Sequence, residues 1–453
     1  MLTERHRILI ESVKRLIRRN ATVNLSKIVN KTHAADLSIV FTYLSIPHQR
    51  KLFYLIENIE QKGILLSELA EFKEDCFLSF VETFSIDEDV EILEHMATDD
   101  VADLLSRLPK EKSDAILEKM KTDCSNEVED LLRYEVDTAG SIMVTDFIAL
   151  KQDTTAREAI ESLQNEHVDV EMPFYLYVVD DTHRLVGVCS LRQLVVVKPN
   201  TPLKDFMTKD IFSVQTNMDQ EEVAKIVARY DILAVPVVDE NNVLMGIITV
   251  DDILDIIRKE ATEDILKMAG AGEEFVETQS VFRSTRIRLP WLFASCLGGI
   301  IACGIISHFG TSLTKFVYLA AFIPVITGMG GNIGTQSSTV VVRGLATGRF
   351  HPKDLLSVVS KELFIGLVLG TVYGFLISIV AQVKFSRIPF SFSVGVALLA
   401  SMSIAAVVGS LVPMLFARIH IDPAVATGPF VTTSVDVLSI LVYFHIATLL
   451  MSI

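Results

Sequence analysis

Apolar residues recur three and four apart through the first 135 positions, as in Leu37-Ser-Ile-Val-Phe-Thr-Tyr-Leu44 and Val101-Ala-Asp-Leu-Leu-Ser-Arg-Leu108. That is the period of helices with one buried face. Both segments run into a proline turn, Ile46-Pro-His-Gln or Leu108-Pro-Lys-Glu, and then into another amphipathic stretch. The pattern predicts an all-α domain over residues 1–135, with paired helices stacked into a superhelix.

Between 136 and 262 the period changes and the sequence repeats itself. Phe174-Tyr-Leu-Tyr-Val-Val-Asp180, then Gly187-Val-Cys-Ser190, parallels Leu233-Ala-Val-Pro-Val-Val-Asp239, then Gly246-Ile-Ile-Thr249. Each copy opens on a Met turn, Ser141-Ile-Met143 and Asp205-Phe-Met207. After it the pattern predicts a short strand, an amphipathic helix, a buried strand, a turn and a final helix. The duplication resembles a tandem pair of CBS (cystathionine-β-synthase) modules, an α/β pair over 136–199 and 200–262. Such a resemblance implies a regulatory unit with a cleft, often for an adenine nucleotide, and makes ATP a candidate cofactor. The ribose-binding pattern Gly-x-x-Ser/Thr-x-x-Asp is complete in the second copy, with Gly246, Thr249 and Asp252. In the first copy Gln193 replaces the Asp. A pair used only for dimerisation and ion sensing is the alternative.

Past residue 280 polar positions become scarce. Uncharged stretches run from Leu289 to Phe309, Phe316 to Val342, Leu363 to Val383 and Ile388 to Ala417, and Pro423 to Ile453 holds one internal charge. About 20 apolar residues cross a bilayer, so 286–453 is expected to form an α-helical transmembrane domain of five spans. Residues 263–285 then make a connecting helix in a multidomain membrane protein. Arg283, Arg286, Arg288, Arg343, Arg349, Lys353, Lys361 and Arg418 fall on one side of these spans, against Lys315, Lys384 and Arg387 on the other. The positive-inside rule therefore puts the long N-terminal body in the cytosol and the C-terminus outside a cell membrane.

Charge divides the chain at the same place. Residues 1–280 hold 30 Lys and Arg against 53 Asp and Glu. The remaining 173 hold 11 basic residues and four acids, Asp354, Glu362, Asp422 and Asp436. An acidic body suits cations and argues against nucleic acid, whose phosphates need a basic footprint. The first 20 residues depart from this balance, with Arg5, Arg7, Lys14, Arg15, Arg18 and Arg19 at helical spacing. A basic amphipathic helix can lie on an anionic membrane, and a helix with a solvated basic face is the plainer reading. Five scattered cysteines, Cys76, Cys124, Cys189, Cys296 and Cys303, suggest neither zinc binding nor a disulfide framework.

Two segments of the spans carry chemistry. Pro324-Val-Ile-Thr-Gly-Met-Gly-Gly-Asn-Ile-Gly-Thr-Gln-Ser-Ser338 concentrates helix-weakening residues inside one span. Close helix packing accounts for its glycines but not for Asn332 and Gln336, which are costly in lipid and suited to a hydrated ion. In Asp422-Pro-Ala-Val-Ala-Thr-Gly-Pro-Phe-Val-Thr-Thr-Ser-Val-Asp436 a carboxylate stands mid-span, at a cost of roughly 2.5–3.5 kcal/mol on insertion scales. No Lys or Arg lies in its helix, so Asp436 reads as an anionic site on a cation path, with Thr432, Thr433 and Asn332 able to add oxygens; a protonated Asp hydrogen-bonded across helices is the alternative. Mg²⁺ sheds water reluctantly and takes one or two carboxylates, which one Asp per subunit of a symmetric pore would supply. A third cluster, Val250-Asp-Asp-Ile-Leu-Asp255-Ile-Ile-Arg-Lys-Glu260-Ala-Thr-Glu-Asp264, spaces Asp252 and Asp255, Glu260 and Glu263, and Glu260 and Asp264 to share helix faces, for which a solvated charged face is the plainer reading.

In this order of domains, the segments Gly-Gly-Asn-x-Gly-x-Gln-Ser and Asp-Pro-Ala…Thr-Thr-x-x-Asp make the chain resemble the MgtE family of magnesium channels. The resemblance covers essentially the whole chain. It implies Mg²⁺ as cargo and regulator, and a homodimer in the bilayer with its pore on the two-fold axis and Asp436 as the selectivity site. It also implies that Asp252, Asp255, Glu260, Glu263 and Asp264, with Asp219 and Asp231, bind regulatory Mg²⁺, and that Asp99, Asp100 and Asp103 join them from the helical domain. A carrier for Co²⁺ or Mn²⁺, or one coupled to Na⁺ or H⁺, is the alternative. No enzyme is expected: the chain lacks H-E-x-x-H and G-x-x-x-x-G-K-[ST], and the span histidines His308 and His445 are far apart in sequence.

Overall fold

The computed structural model describes residues 4–165, 175–270, 281–425 and 427–451. It divides into two compact units, Met1–Arg258 and Lys259–Ile453.

The first unit begins with ten helices among the described residues, α1 (Glu4–Arg18) to α10 (Thr122–Leu131), each of 8 to 15 residues. The proline turns do what their sequence predicts. Pro47 sits in the first turn of α4 (Ile46–Phe53), where its missing N–H costs nothing, and Pro109 precedes α9 (Lys110–Leu117). The apolar faces close on a core that includes Leu37, Phe41, Phe53, Leu65, Phe77 and Phe80, all nearly inaccessible. Phe80 packs edge-on to Phe41, Phe53 and Phe84 with centroids 5.7, 5.4 and 4.9 Å away.

The duplicated region folds as two three-stranded sheets. One holds β1 (Ala149–Lys151), β2 (Tyr175–Val179) and β3 (Leu185–Ser190), and the other β4 (Val214–Gln215), β5 (Ala234–Val238) and β6 (Leu244–Thr249). In each, the first strand runs parallel to the second and the second antiparallel to the third. Helices α11 (Ala156–Asn165), α12 (Leu191–Val196) and α13 (Gln220–Tyr230) complete the modules; Phe174 lies outside the described residues. The Met turns are exchanged between the copies. Met207, from the second, fills the space over Gly187 of β3, where an added carbon would meet its sulfur at 2.2 Å. Met143, from the first, fills the space over Gly246 of β6, with the sulfur at 2.8 Å from such a carbon.

Helix α14 (Val250–Met268) starts in the first unit and ends in the second. Past residue 280 come α15 (Val281–His308), α16 (Gly310–Lys315), α17 (Ile323–Ala346), α18 (Leu355–Phe385), α19 (Ile388–Arg418) and α20 (Pro429–Leu450). Five stretches among the described residues are long and apolar enough to cross a membrane. Their limits differ from the hydropathy reading. The last helix starts at Pro429, because 423–425 and 427–428 are spent on turns. The third starts at Leu355, so Lys361 and Glu362 lie within it. The connecting segment 271–280 lies outside the described residues.

Glu362, Gly366, Gly370 and Gly374 form a buried stripe on α18 at four-residue spacing. Against it a carbon added to Gly370 would lie 2.9 Å from Leu399 Cα, and one added to Gly374 2.6 Å from the Gly395 carbonyl of α19. The two backbones touch, as small-residue stripes permit in membranes. Gly374→Leu is therefore expected to destabilise the detergent-solubilised protein by about 1–3 kcal/mol, read as a lowered thermal midpoint. An unchanged midpoint would show that the stripe is not a packing surface.

Candidate ion pathway and regulatory face

The glycines of α17 fall into two groups. Gly330 and Gly334 are buried, and a carbon on either would meet Ser439 Oγ at 2.6 Å or Val435 Cγ2 at 3.0 Å on α20. On the opposite face Gly328, Asn332, Thr335, Gln336, Thr339 and Arg343 are exposed, spaced by three and four residues. A span with that face turned to hydrocarbon would leave amides unsatisfied. Gly331 lies at the margin between them, where a carbon would come 3.8 Å from Asp436 Oδ1. The half-buried Asp436 carboxylate is thus set against bare α17 backbone, one residue from Asn332. Behind α17, Ser337 Oγ donates to Glu362 Oε2 at 2.8 Å; Glu362 is only 7 % exposed. The Tyr443 hydroxyl donates to the Leu319 carbonyl at 2.9 Å, and Ser401 to Ser439 at 2.7 Å.

The threonines of α20 have other neighbours. Thr432 Oγ1 donates to the backbone carbonyls of Gly428 and Pro429 at 3.2 and 3.3 Å. The Thr433 methyl occupies the space over Gly298 on α15. His308 and His445, remote in sequence, line one groove between α15 and α20, each ring 5.4 Å from that of Phe309.

At the cytosolic end of this unit α14 is tied to the chain leading into α20. Lys267 pairs with Glu263 one turn back and with Asp422 at 2.7 Å. Burial opposes its charge, yet hydrogen bonds to Asp422 and Glu263 outweigh that and hold the ammonium above the usual lysine range. Asp422 also accepts the Ala424 N–H at 2.8 Å. Beside it a carbon on Gly428 would lie 2.9 Å from the Met268 carbonyl, and Gly270, with φ +72°, meets Pro429.

In the first unit, carboxylates from three helices converge. Burial first, then Asp255, Glu68, Asp100 and Asp103, push the Glu71 carboxyl up to about 7. Burial and Asp255 raise Glu68 as well, opposed by His33 and Arg258. Glu68 and Glu71 belong to α5 (Ile59–Phe72), Asp100 and Asp103 to α8 (Thr98–Arg107), and Asp255 to α14. Arg107 forks onto Asp103 at 2.9 and 3.1 Å, and Arg258 pairs with Asp255 at 2.9 Å. The expected acids Asp100, Asp103 and Asp255 thus come together, joined by Glu68 and Glu71, which the sequence did not single out. Asp99 is also on α8, and Glu260 and Asp264 lie further along α14. Asp219 and Asp231 have local roles at the two ends of α13: Asp219 accepts the Glu221 N–H at 2.8 Å, and Asp231 is the left-handed C-cap. Among the described residues no three His, Cys, Asp or Glu side chains form a metal-ligand cluster.

The two nucleotide patterns differ in structure as in sequence. In the second module Thr249 Oγ1 donates to Asp252. In the first, Gln193 Oε1 accepts the Ser190 N–H at 2.8 Å and closes a capping box at the start of α12.

A family model described as "Divalent cation transporter" matches residues 323–446. The "MgtE intracellular N domain" matches 32–137, and CBS domains match 139–200 and 203–259. A "Magnesium transporter MgtE" of Bacillus subtilis is 37 % identical over 353 residues, 78 % of each chain. The chain belongs to the MgtE family. Another relative of that name, from Enterococcus faecalis, is 41 % identical over 72 % of each chain. The solved "cytosolic domain of the Mg2+ channel MgtE in complex with ATP" is 34 % identical, covering 55 % of this chain and 99 % of its own with a TM-score of 0.51. As an MgtE protein the chain is a membrane transporter and not an enzyme, with an intracellular N-terminal domain. The transporter match holds all of α17 to α19 and Asp436, while α1 lies outside every matched segment.

The raised carboxyl of Glu71 has a pH signature. Its folded value near 7 exceeds its ordinary 4.5, so the folded unit holds an extra proton between the two. Stability is then greatest below that window and falls as pH rises through 7. Without divalent cations, the thermal midpoint of the cytosolic transition should fall between pH 5.5 and 8, and Glu71→Gln should flatten the dependence. An equal slope in the variant would show that Glu71 is not the titrating group.

Proposed function

We propose that this chain carries Mg²⁺ across a cell membrane through a pore bounded by the open face of α17 and the Asp436 side of α20, and that cytosolic Mg²⁺ closes it. The observation that carries the reading is the Asp436 carboxylate set against Gly331 beside the exposed stripe of Asn332 and Gln336. A hydrated Mg²⁺ needs few protein ligands, and those are oxygens. Asp436 supplies the charge and Asn332 and Gln336 meet the water shell, while Thr432, bonded to its own backbone, and Thr433, packed against α15, are the further candidates on α20. Since the polar stripe cannot face lipid, a second copy placed about a two-fold axis would turn stripe to stripe, and the functional unit is a homodimer. Five crossings from an intracellular N-terminal domain leave the C-terminus outside.

For control, the residues that would hold the regulatory ion are Asp255 with Asp100, Asp103, Glu68 and Glu71, whose charges act on one another, together with Asp252 and Asp99 on the same helices. Further candidates are Glu260, Glu263, Asp264, Asp219 and Asp231. Burial first and then the neighbouring acids raise the Glu71 carboxyl to about 7, and the repulsion among those acids is what a divalent cation relieves. When Mg²⁺ falls, repulsion loosens these contacts, and α14, latched through Lys267 to Asp422, passes the change to the start of α20. The relative solved with ATP and the intact Thr249–Asp252 pair support ATP as a modulator bound to the second module.

Asp436→Ala should lower Mg²⁺ uptake into proteoliposomes by at least about tenfold, a loss of some 1.4 kcal/mol in barrier, with circular dichroism and elution volume unchanged. Uptake at the parental rate would remove Asp436 from the pathway. Neutralising Asp255, Glu260 and Glu263 together should leave flux insensitive to Mg²⁺ on the cytosolic side. Ordinary inhibition in that variant would place the sensor elsewhere.

A further inference from the structure

The transport reading leaves the basic N-terminal helix without a role. Residues 1–31 carry eight Lys and Arg and two acids, whereas residues 32–280 carry 22 basic residues and 51 acids. The positive charge lies on one side of α1. Ile10, Val13 and Ile17 are buried in the core of the helical domain, which fixes the rotation of the helix and leaves Arg7, Ile8, Glu11, Arg15, Arg18 and Arg19 exposed. The next helix, α2 (Thr22–Val29), adds Val23 and Lys27 on its own exposed face. Two basic residues of α1 are engaged locally: Arg5 lies 3.5 Å from Asp36, and Lys14 sits over the Tyr43 ring. Arg7, Arg15, Arg18 and Arg19 make no ion pair among the described residues. Within this patch two large aliphatic side chains stand in solvent, Ile8 at 61 % and Val23 at 68 % exposure.

From this we infer that the exposed face of α1, with the start of α2, docks the helical domain on the anionic phospholipids of the cytosolic leaflet. The partner follows from charge and from the aliphatic points. An intracellular domain of a membrane-anchored chain stays close to a leaflet of negative surface potential, and clustered arginines are drawn to it within a Debye length. Isolated aliphatic residues ringed by arginine suit the boundary between headgroups and acyl chains. The apolar face of α1 is already buried, so the helix does not roll into the bilayer as a free amphipathic helix would. It presents a preformed basic surface instead.

The test uses the full chain in lipid nanodiscs, either zwitterionic or containing phosphatidylglycerol, with an environment-sensitive fluorescent amino acid in place of Ile8. In anionic discs the probe should shift to the blue and be quenched by nitroxide-bearing lipids at least twofold more than in zwitterionic discs. High salt should abolish the difference. The R7E/R15E/R18E/R19E variant should lose it with its circular dichroism unchanged, and the R7K/R15K/R18K/R19K variant should keep it. Identical emission in the two lipids would overturn the proposal. So would salt-sensitive shielding of equal size in both, which would assign the patch to an acidic protein surface such as that of a second copy.

Discussion

A carboxylate inside an apolar span is tolerable only when something other than hydrocarbon faces it, and the arrangement of the membrane unit turns on how Asp436 meets that condition. It has no basic partner in its own helix. It lies instead at the seam where α20 crosses α17, over a glycine that brings no side chain between carboxylate and backbone. The packing behind it serves this placement. Gly330 and Gly334 let α17 approach Val435 and Ser439, Ser401 and Ser439 satisfy each other, and the α18–α19 glycine stripe supports the far side. Ser337 and Glu362 are hydrogen-bonded to each other behind α17, and the amides of Asn332 and Gln336 stand exposed on its open face.

Much of this could be read from the chain. The five spans, the two modules and the helical domain follow from three hydrophobic periods, and Asn332, Gln336 and Asp436 stand out because polarity in a span is rare. The sequence could not divide the glycines of α17 between packing and the open face, since that depends on which neighbour each one meets. Nor could it connect Lys267 with Asp422 or Glu71 with Asp255. Those pairs are made by tertiary packing between segments distant in the chain, and in sequence each residue looks like one more charge on a solvated helix. Hydropathy starts a helix where charge stops, so the pattern begins the third span at Leu363 and leaves Glu362 just outside it. The hydrogen bond from Ser337 shows why a charged residue can instead lie well inside one.

The cytosolic unit meets the same electrostatic problem in the opposite way. Where the membrane unit holds Asp436 and Glu362 on separate helices, the cytosolic unit gathers several carboxylates, with Arg107 on Asp103 and Arg258 on Asp255. The incomplete compensation leaves the packing of α5, α8 and the start of α14 dependent on protons and cations, a sensitivity that an apolar interface of the same size would lack.

The exchange of Met turns between the modules has a mechanical result. Because Met143 fills the hollow over Gly246 while Met207 fills the one over Gly187, neither module holds a finished core by itself. Such cross-bracing opposes shear between the copies, because sliding one past the other would pull each methionine out of its hollow. It also ties the two copies of the repeat to each other: a change of volume at either methionine is felt in the opposite copy.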